Sequence, residues 1–150
     1  MSVIWSEYIV PCLCAFLACA GFTLVFNIHG AGKLIACLGG AICWLVYLLA
    51  GSTIFAAFLS AAVIGIFSEI MARIRRCPVT GYLLVSLLPL VPGGGIYYAM
   101  SYCVAGDVQM FLATLLHTFG MAAALAVGAM MTASMFRTVY IHLYHLKRHR

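Results

Sequence analysis

The sequence predicts an all-α, polytopic membrane helical bundle of five transmembrane spans, with the fourth span broken at residues 89–97. Three observations carry that expectation. Of 150 residues, 66% are apolar and 7% charged, against about 25% charged in typical soluble domains. Apolar stretches of membrane-crossing length alternate with short polar punctuation. With five spans drawn, all eight Lys and Arg residues fall on one side of the bilayer, whereas merging or deleting a span scatters them. The chain is read as a single integral membrane domain over 1–150, with short loops and little sequence left for anything outside the bilayer.

The first span is placed at Tyr8–Phe26. Ala18, Cys19 and Ala20 resemble a signal-peptide cleavage site. However, no Lys or Arg precedes Lys33 and the apolar stretch runs on to Phe26, so the span is expected to remain. Phe16 and Leu17 speak against lipidation at Cys19. Lys33 precedes a short, steep second span at Ile35–Leu49, and a tight turn around Gly51 leads to the third at Thr53–Ala72. There Ala57, Ala61 and Gly65 recur every fourth residue, a spacing that lets another helix approach closely. One further step along that row reaches Glu69. Arg73, Arg75 and Arg76 separate it from the fourth span, Val79–Val104. The fifth, Val108–Phe136, carries a second small-residue row of Gly120, Ala124, Gly128 and Thr132, with His117 one turn ahead. Both rows are expected to turn Glu69 and His117 toward protein rather than lipid. A basic tail, 137–150, ends the chain. The charge distribution places the N-terminus outside, with Glu7, Gly51 and Asp107, and the C-terminus in the cytoplasm.

No ordinary anchoring helix needs PLVPGGGIY, Pro89 to Tyr97, in the middle of a span. Pro89 and Pro92 cannot donate backbone hydrogen bonds, and Gly93, Gly94 and Gly95 lose the most entropy when held helical. Open backbone survives at bilayer depth only when buried in protein or lining a wet cavity, so 89–97 is the leading substrate-binding candidate. The flanking stretches Val79–Leu88 and Ile96–Val104 would be about 15 Å and 13 Å long as helix, each near half the hydrocarbon thickness, which puts the break at the midplane. The second half-helix is expected to begin after Gly95, its free amides favouring a carboxylate, while carbonyls released by Pro89 and Pro92 suit an ammonium group. Tyr97 and Tyr98 would line the cavity or simply pack. The alternative for the glycines is that they only let another helix cross closely.

An ionisable residue inside a membrane helix often marks an ion path, which makes Glu69 the first proton-coupling candidate. Glu69 and Arg73, four apart, also suit an interfacial ion pair. His117 has the right chemistry for a proton relay, and a hydrogen-bonded packing histidine is the competing role. His142, His145 and His149 have metal-ligand spacing, but the basic residues around them favour an amphipathic tail near anionic headgroups. The seven cysteines are odd in number and form no CxxC pair. They read as small packing residues, and no metal or other cofactor is expected. The spans hold no Ser/Lys or paired-aspartate constellation, which argues against an intramembrane enzyme. The expected surroundings are the lipid bilayer and a small-molecule substrate, with no nucleic acid; self-association stays open.

The run FSEIMARIRRCPVTGYLLVSLLPLVPGGGIYYAM, Phe67–Met100, resembles the signature region of the threonine/serine exporter family, in its C-terminal five-span half. FNIHGAGKLIACLGGAICWLVYLL, Phe26–Leu49, is similar to the same family's first cytoplasmic loop and second span. By position Glu69, Pro78, Pro89, Pro92, Gly93 and Tyr97 correspond to its recurrent motif residues. The resemblance implies proton-driven secondary export of small hydrophilic metabolites across a bacterial inner membrane, with threonine and serine or dicarboxylates such as succinate as cargo. It also implies that this is the small separate subunit of a two-component exporter, working with a larger partner half. A non-transporting scaffold or assembly subunit is the alternative.

Overall fold

The computed structural model describes residues 5–28 and 30–148, and side chains over 7–28 and 30–139. A π-helical turn, Trp5–Ile9, runs without interruption into α1, Val10–Val25, and Pro11, just after the junction, has no N–H to give to the preceding turn. Then come α2, Gly32–Leu49, and α3, Ile54–Arg75. The fourth expected span is two helices, α4, Val79–Leu87, and α5, Gly93–Ala105, bent by 43°. The last helix, α6, runs from Val108 to Arg148. The side chains of His142, His145 and His149 lie outside the described residues.

Four helices end in the same way, which explains the short connections. The chain turns left-handed at Asn27, Gly51, Arg76 and Gly106, and the next N–H reaches back five residues. These bonds run from Ile28 to Thr23, Ser52 to Tyr47, Cys77 to Ala72 and Asp107 to Tyr102, at 3.0–3.1 Å. Each motif closes carbonyls that the helix end would otherwise leave open. Two of these turns also cap the next helix: Thr53 Oγ1 accepts from the Ala56 N–H, and Asp107 Oδ1 from the Met110 N–H.

The two small-residue rows meet each other. A Cβ on Gly65 would collide with Thr132, one on Gly128 would sit 2.6 Å from the Phe58 carbonyl oxygen, and one on Gly120 would come 2.9 Å from Ile54 Cδ1. These contacts advance in the same direction along α3 and α6, so the two helices run parallel. Parallel α3 and α6 require the chain between them to traverse the bundle once. The bent pair α4–α5 is therefore a broken crossing rather than a re-entrant hairpin, and it makes the fifth span beside the four unbroken helices of sufficient length and apolarity.

The core has two parts. One gathers Cys19, Ala36, Cys37, Ala72, Tyr82 and Val85 from α1 to α4. The other gathers Cys43, Ala57, Ala61 and Ile64 with Leu90 beside the break and Leu125 of α6. Cys19, Cys37 and Cys43 pack as small apolar residues, while Cys14, Cys77 and Cys103 are exposed. Past the break, α5 leaves this core and packs chiefly on α6.

Candidate functional site

The break is a defined path of backbone. A 3₁₀ turn, Leu88–Leu90, follows α4. Val91 precedes a proline and is held extended, at φ −61° and ψ 126°. Pro92 has φ −78° and ψ 54°, and the Gly93 N–H reaches the Val91 carbonyl across it at 2.7 Å, an inverse γ-turn. Helix resumes at once. Leu88–Pro92 is thus the open stretch, and the second half-helix starts at Gly93, not after Gly95. The expectation overlooked that the first residues of a helix need no acceptor four residues back. Glycine's helical penalty of about 1 kcal/mol is too small to delay the start. About 14 Å of α-helix precedes this open stretch and about 20 Å follows it.

The prolines disturb two carbonyls in different ways. Pro92 removes the partner of the Leu88 carbonyl, which instead accepts from the Val91 N–H at 3.2 Å. Pro89 removes the partner of the Val85 carbonyl, and there the Cys19 thiol donates instead, Sγ to O at 3.2 Å, in a fully buried position. Three residues before Pro89, Ser86 Oγ donates to the Ala36 carbonyl at 3.1 Å and ties α4 to α2. Among the described residues, the carbonyls of Pro89 and Leu90 and the N–H groups of Gly94 and Gly95 have no backbone partner. Open acceptors and open donors therefore flank one bend.

This bend has two faces. On the α1–α2 side, Pro89 closes a recess of about 360 Å³ with Pro11, Cys14, Ala15, Ala18 and Trp44. On the other side Gly93 and Gly94 are exposed, and a Cβ on either would meet nothing within 4 Å. Gly95 differs, because a Cβ there would collide with Thr118 of α6. Tyr97 and Tyr98 pack edge to face at 5.6 Å and are 71% and 59% exposed. Both project from the surface of the chain, and Tyr97 borders a shallow groove of about 300 Å³ with Met100, Ser101 and Val104 rather than an internal cavity.

The ionisable candidates are not brought together. Glu69 is largely buried and pairs with Arg73 at 3.5 Å, and the Arg73 guanidinium lies 5.5 Å from the centre of the Phe136 ring. His117 is exposed, contrary to the expected inward turn. The reason is angular: residues three or four apart are not aligned but offset by tens of degrees, and its neighbour Thr118 occupies the contact with Gly95 instead. The Arg73–Phe136 contact sets Glu69 level with Phe136. His117 is therefore about 28 Å away along α6, too far for direct proton transfer.

Sequence reasoning missed Cys19, Ser86 and Trp44. Trp44 Nε1 and Ser68 Oγ are buried without a hydrogen-bond partner. A polar residue in an apolar span was a usable signal for Ser68 and Ser86. Nothing local marks Cys19, whose acceptor is 66 residues away.

Comparison with curated proteins and with solved structures gives no match. The family described as Threonine/Serine exporter, ThrE, matches residues 11–135, from α1 well into α6 with the whole break inside the match. The chain belongs to the threonine/serine exporter family.

Proposed function

We propose that this chain is the small subunit of a two-component secondary exporter of small hydrophilic metabolites, and that the Leu88–Pro92 break forms one wall of its transport path. The observation that carries this reading is the set of unpartnered carbonyls at Pro89 and Leu90 and unpartnered amides at Gly94 and Gly95, in the middle of a broken crossing. Such groups complement an ammonium and a carboxylate and so suit a zwitterion; the family resemblance is what points to amino acids of the threonine/serine type, or to dicarboxylates such as succinate, as the cargo classes. Pro89, Pro92, Gly93, Gly94, Gly95 and Tyr97 are the substrate-side residues. The outward exposure of Gly93, Gly94 and Tyr97 supports a site completed by the larger partner half. In this reading the protein sits in the bacterial inner membrane, and the single-sided basic residues support an orientation with the N-terminus outside and the C-terminus cytoplasmic.

Glu69 is the proton-coupling residue of this scheme. Its protonation releases Arg73, while substrate carboxylate at the α5 terminus favours the opposite access state, so inward proton flow opposes outward substrate flow. His117, level with the break, is a second and separate protonation site. The Glu69–Arg73 pair also suits a purely structural role, and this favours a scaffold subunit as the second reading. Metabolite efflux from cells lacking the protein, restored by this chain with and without the partner half, separates the two. Restoration that needs both chains and fails with Gly94→Leu supports the path. Substrate binding by the purified pair that ignores every change in 89–97 supports the scaffold.

A further inference from the structure

A second cavity lies at the basic end of the bundle, away from the break. Its volume is about 420 Å³, and its wall includes Asn27 at the end of α1, Arg75 at the end of α3, Cys77 in the connection, and Thr80, Gly81 and Tyr82 in the first turns of α4. Tyr82 is 3% exposed and interacts with both Arg75 and Cys77. A Cβ on Gly32 would stand 3.0 Å from the Tyr82 hydroxyl, so glycine at that position gives the hydroxyl its place. The buried phenol thereby lies beside Arg75 on the inner wall of the cavity.

Among the described residues, no carboxylate pairs with Arg75. The chain has three acidic residues, Glu7, Glu69 and Asp107. Glu69 pairs with Arg73, and Glu7 and Asp107 belong to the opposite end, before α1 and before α6. Arg75, Asn27 and Thr80 are all exposed at this cavity, so an anion can reach the guanidinium and its neighbouring donors without displacing packed side chains. The planar guanidinium donors match an oxyanion held by two parallel hydrogen bonds. The rest of the wall adds donors: Asn27 supplies an amide, Thr80 a hydroxyl, and the start of α4 has Pro78 as its cap residue with no side-chain cap bond, leaving first-turn N–H groups open.

We infer that this cavity binds a single oxyanion group, carboxylate or phosphate, through Arg75, at a site separate from the break. The carrier is either a soluble metabolite waiting at the basic end or the headgroup of an anionic lipid, and the chemistry of recognition is shared. The inference concerns binding alone and does not depend on the export reading.

The test uses the full chain in lipid nanodiscs without any transport assay. In phosphatidylcholine discs, succinate and inorganic phosphate are titrated against thermal stability. In discs containing phosphatidylglycerol, retained lipid is measured by native mass spectrometry. Arg75→Gln is expected to weaken oxyanion binding about tenfold or more, as the loss of a charge-assisted pair predicts. Arg76→Gln, which removes the same charge beside the cavity, should change it by less than about twofold. Thr80→Asp guards against misfolding as an explanation, because an acid in the first turn stabilises a helix while placing a rival carboxylate in the cavity. It should abolish binding with the thermal transition kept or raised. Arg75-dependent binding of succinate or phosphate in the neutral discs assigns the site to a solute; Arg75-dependent retention of phosphatidylglycerol alone assigns it to a headgroup. No binding of either kind by the wild type, or equal losses in Arg75→Gln and Arg76→Gln, overturns the inference.

Discussion

Along the α3–α6 seam a Cβ at Gly65 or Gly128 would collide with the facing helix, whereas at Gly93 and Gly94 it would meet nothing within 4 Å. Both regions spend glycine inside a membrane bundle, for opposite reasons. In the seam, the missing side chain lets two backbones touch, and dispersion and close packing are what hold helices together in lipid. At the break, the missing side chain leaves space and bare amides on an open face, which contributes nothing to the packing of this chain. A residue that stabilises nothing within its own chain is where a requirement from outside, substrate or partner, is expressed most directly.

The contrast is broken most forcefully from the seam. Gly128→Leu forces a branched side chain against the Phe58 carbonyl and Ala61, with backbone on the far side and no flexible group to yield. Overpacking of this kind costs about 3 kcal/mol or more. Folded, monodisperse protein in detergent should be lost or its apparent Tm reduced by many degrees. A Gly128→Leu protein as stable as wild type would mean that α3 and α6 do not pack in this register.

Gly94→Leu is the matched change on the other side of the comparison. The space around Gly94 is open, so insertion and thermal stability should stay within about 1 kcal/mol of wild type, close to the helix-propensity difference alone. Export by the two-chain system should nevertheless fall at least about tenfold, since the leucine occupies ground meant for cargo or for the partner. Equal transport by Gly94→Leu, or a loss traced to misfolding, would erase the distinction between the two uses of glycine.

Much of this organisation is legible from residue order. The spans follow from hydropathy, the five crossings from one-sided charge, and the break from two prolines that cannot donate. The small-residue rows of spans three and five predicted a seam, and the contact of Gly65 with Thr132 and of Gly128 with Phe58 and Ala61 bears that out. What stayed hidden depends on rotation or on distance along the chain. His117 lies three residues from a row spaced by four, so the natural drift of the helix carries it off the seam and Thr118 takes the contact with α5. The start of α5 at Gly93 reflects a balance of about 1 kcal/mol per glycine against the tolerance of a helix's first turn for unpaired amides. The partners of Cys19 and Ser86 are 66 and 50 residues away, and no local spacing points to them.

Glu69→Gln gives a smaller effect that separates coupling from structure. The amide keeps the shape and a hydrogen bond to Arg73 but neither charge nor proton exchange. Stability should change by no more than about 1 kcal/mol, since a partly exposed i,i+4 pair is worth little. Efflux driven by an imposed pH gradient should drop about tenfold, while substrate exchange without a gradient continues. Full proton-driven export by the variant removes Glu69 from the scheme and leaves the break to act without it.

A last effect, on stability alone, lies behind the break, where α1, α2 and α4 meet. Cys19 supplies the hydrogen bond that Pro89 denies to the Val85 carbonyl, and it fits only because a Cβ at Gly40 would collide with its sulfur. Cys19→Ala strands a buried carbonyl and leaves a small void, together about 1–2 kcal/mol. Cys19→Ser keeps a donor and should recover part of that loss. Gly40→Ala alone should destabilise by about 1–3 kcal/mol through the clash with sulfur. In the Cys19→Ala background its methyl enters the vacated space, so the double variant should be more stable than the two single losses added together. Apparent Tm values for the four proteins in one detergent measure that coupling. Simple additivity would mean that Cys19 and Gly40 act independently, and that the carbonyl freed by Pro89 is held by something other than the thiol.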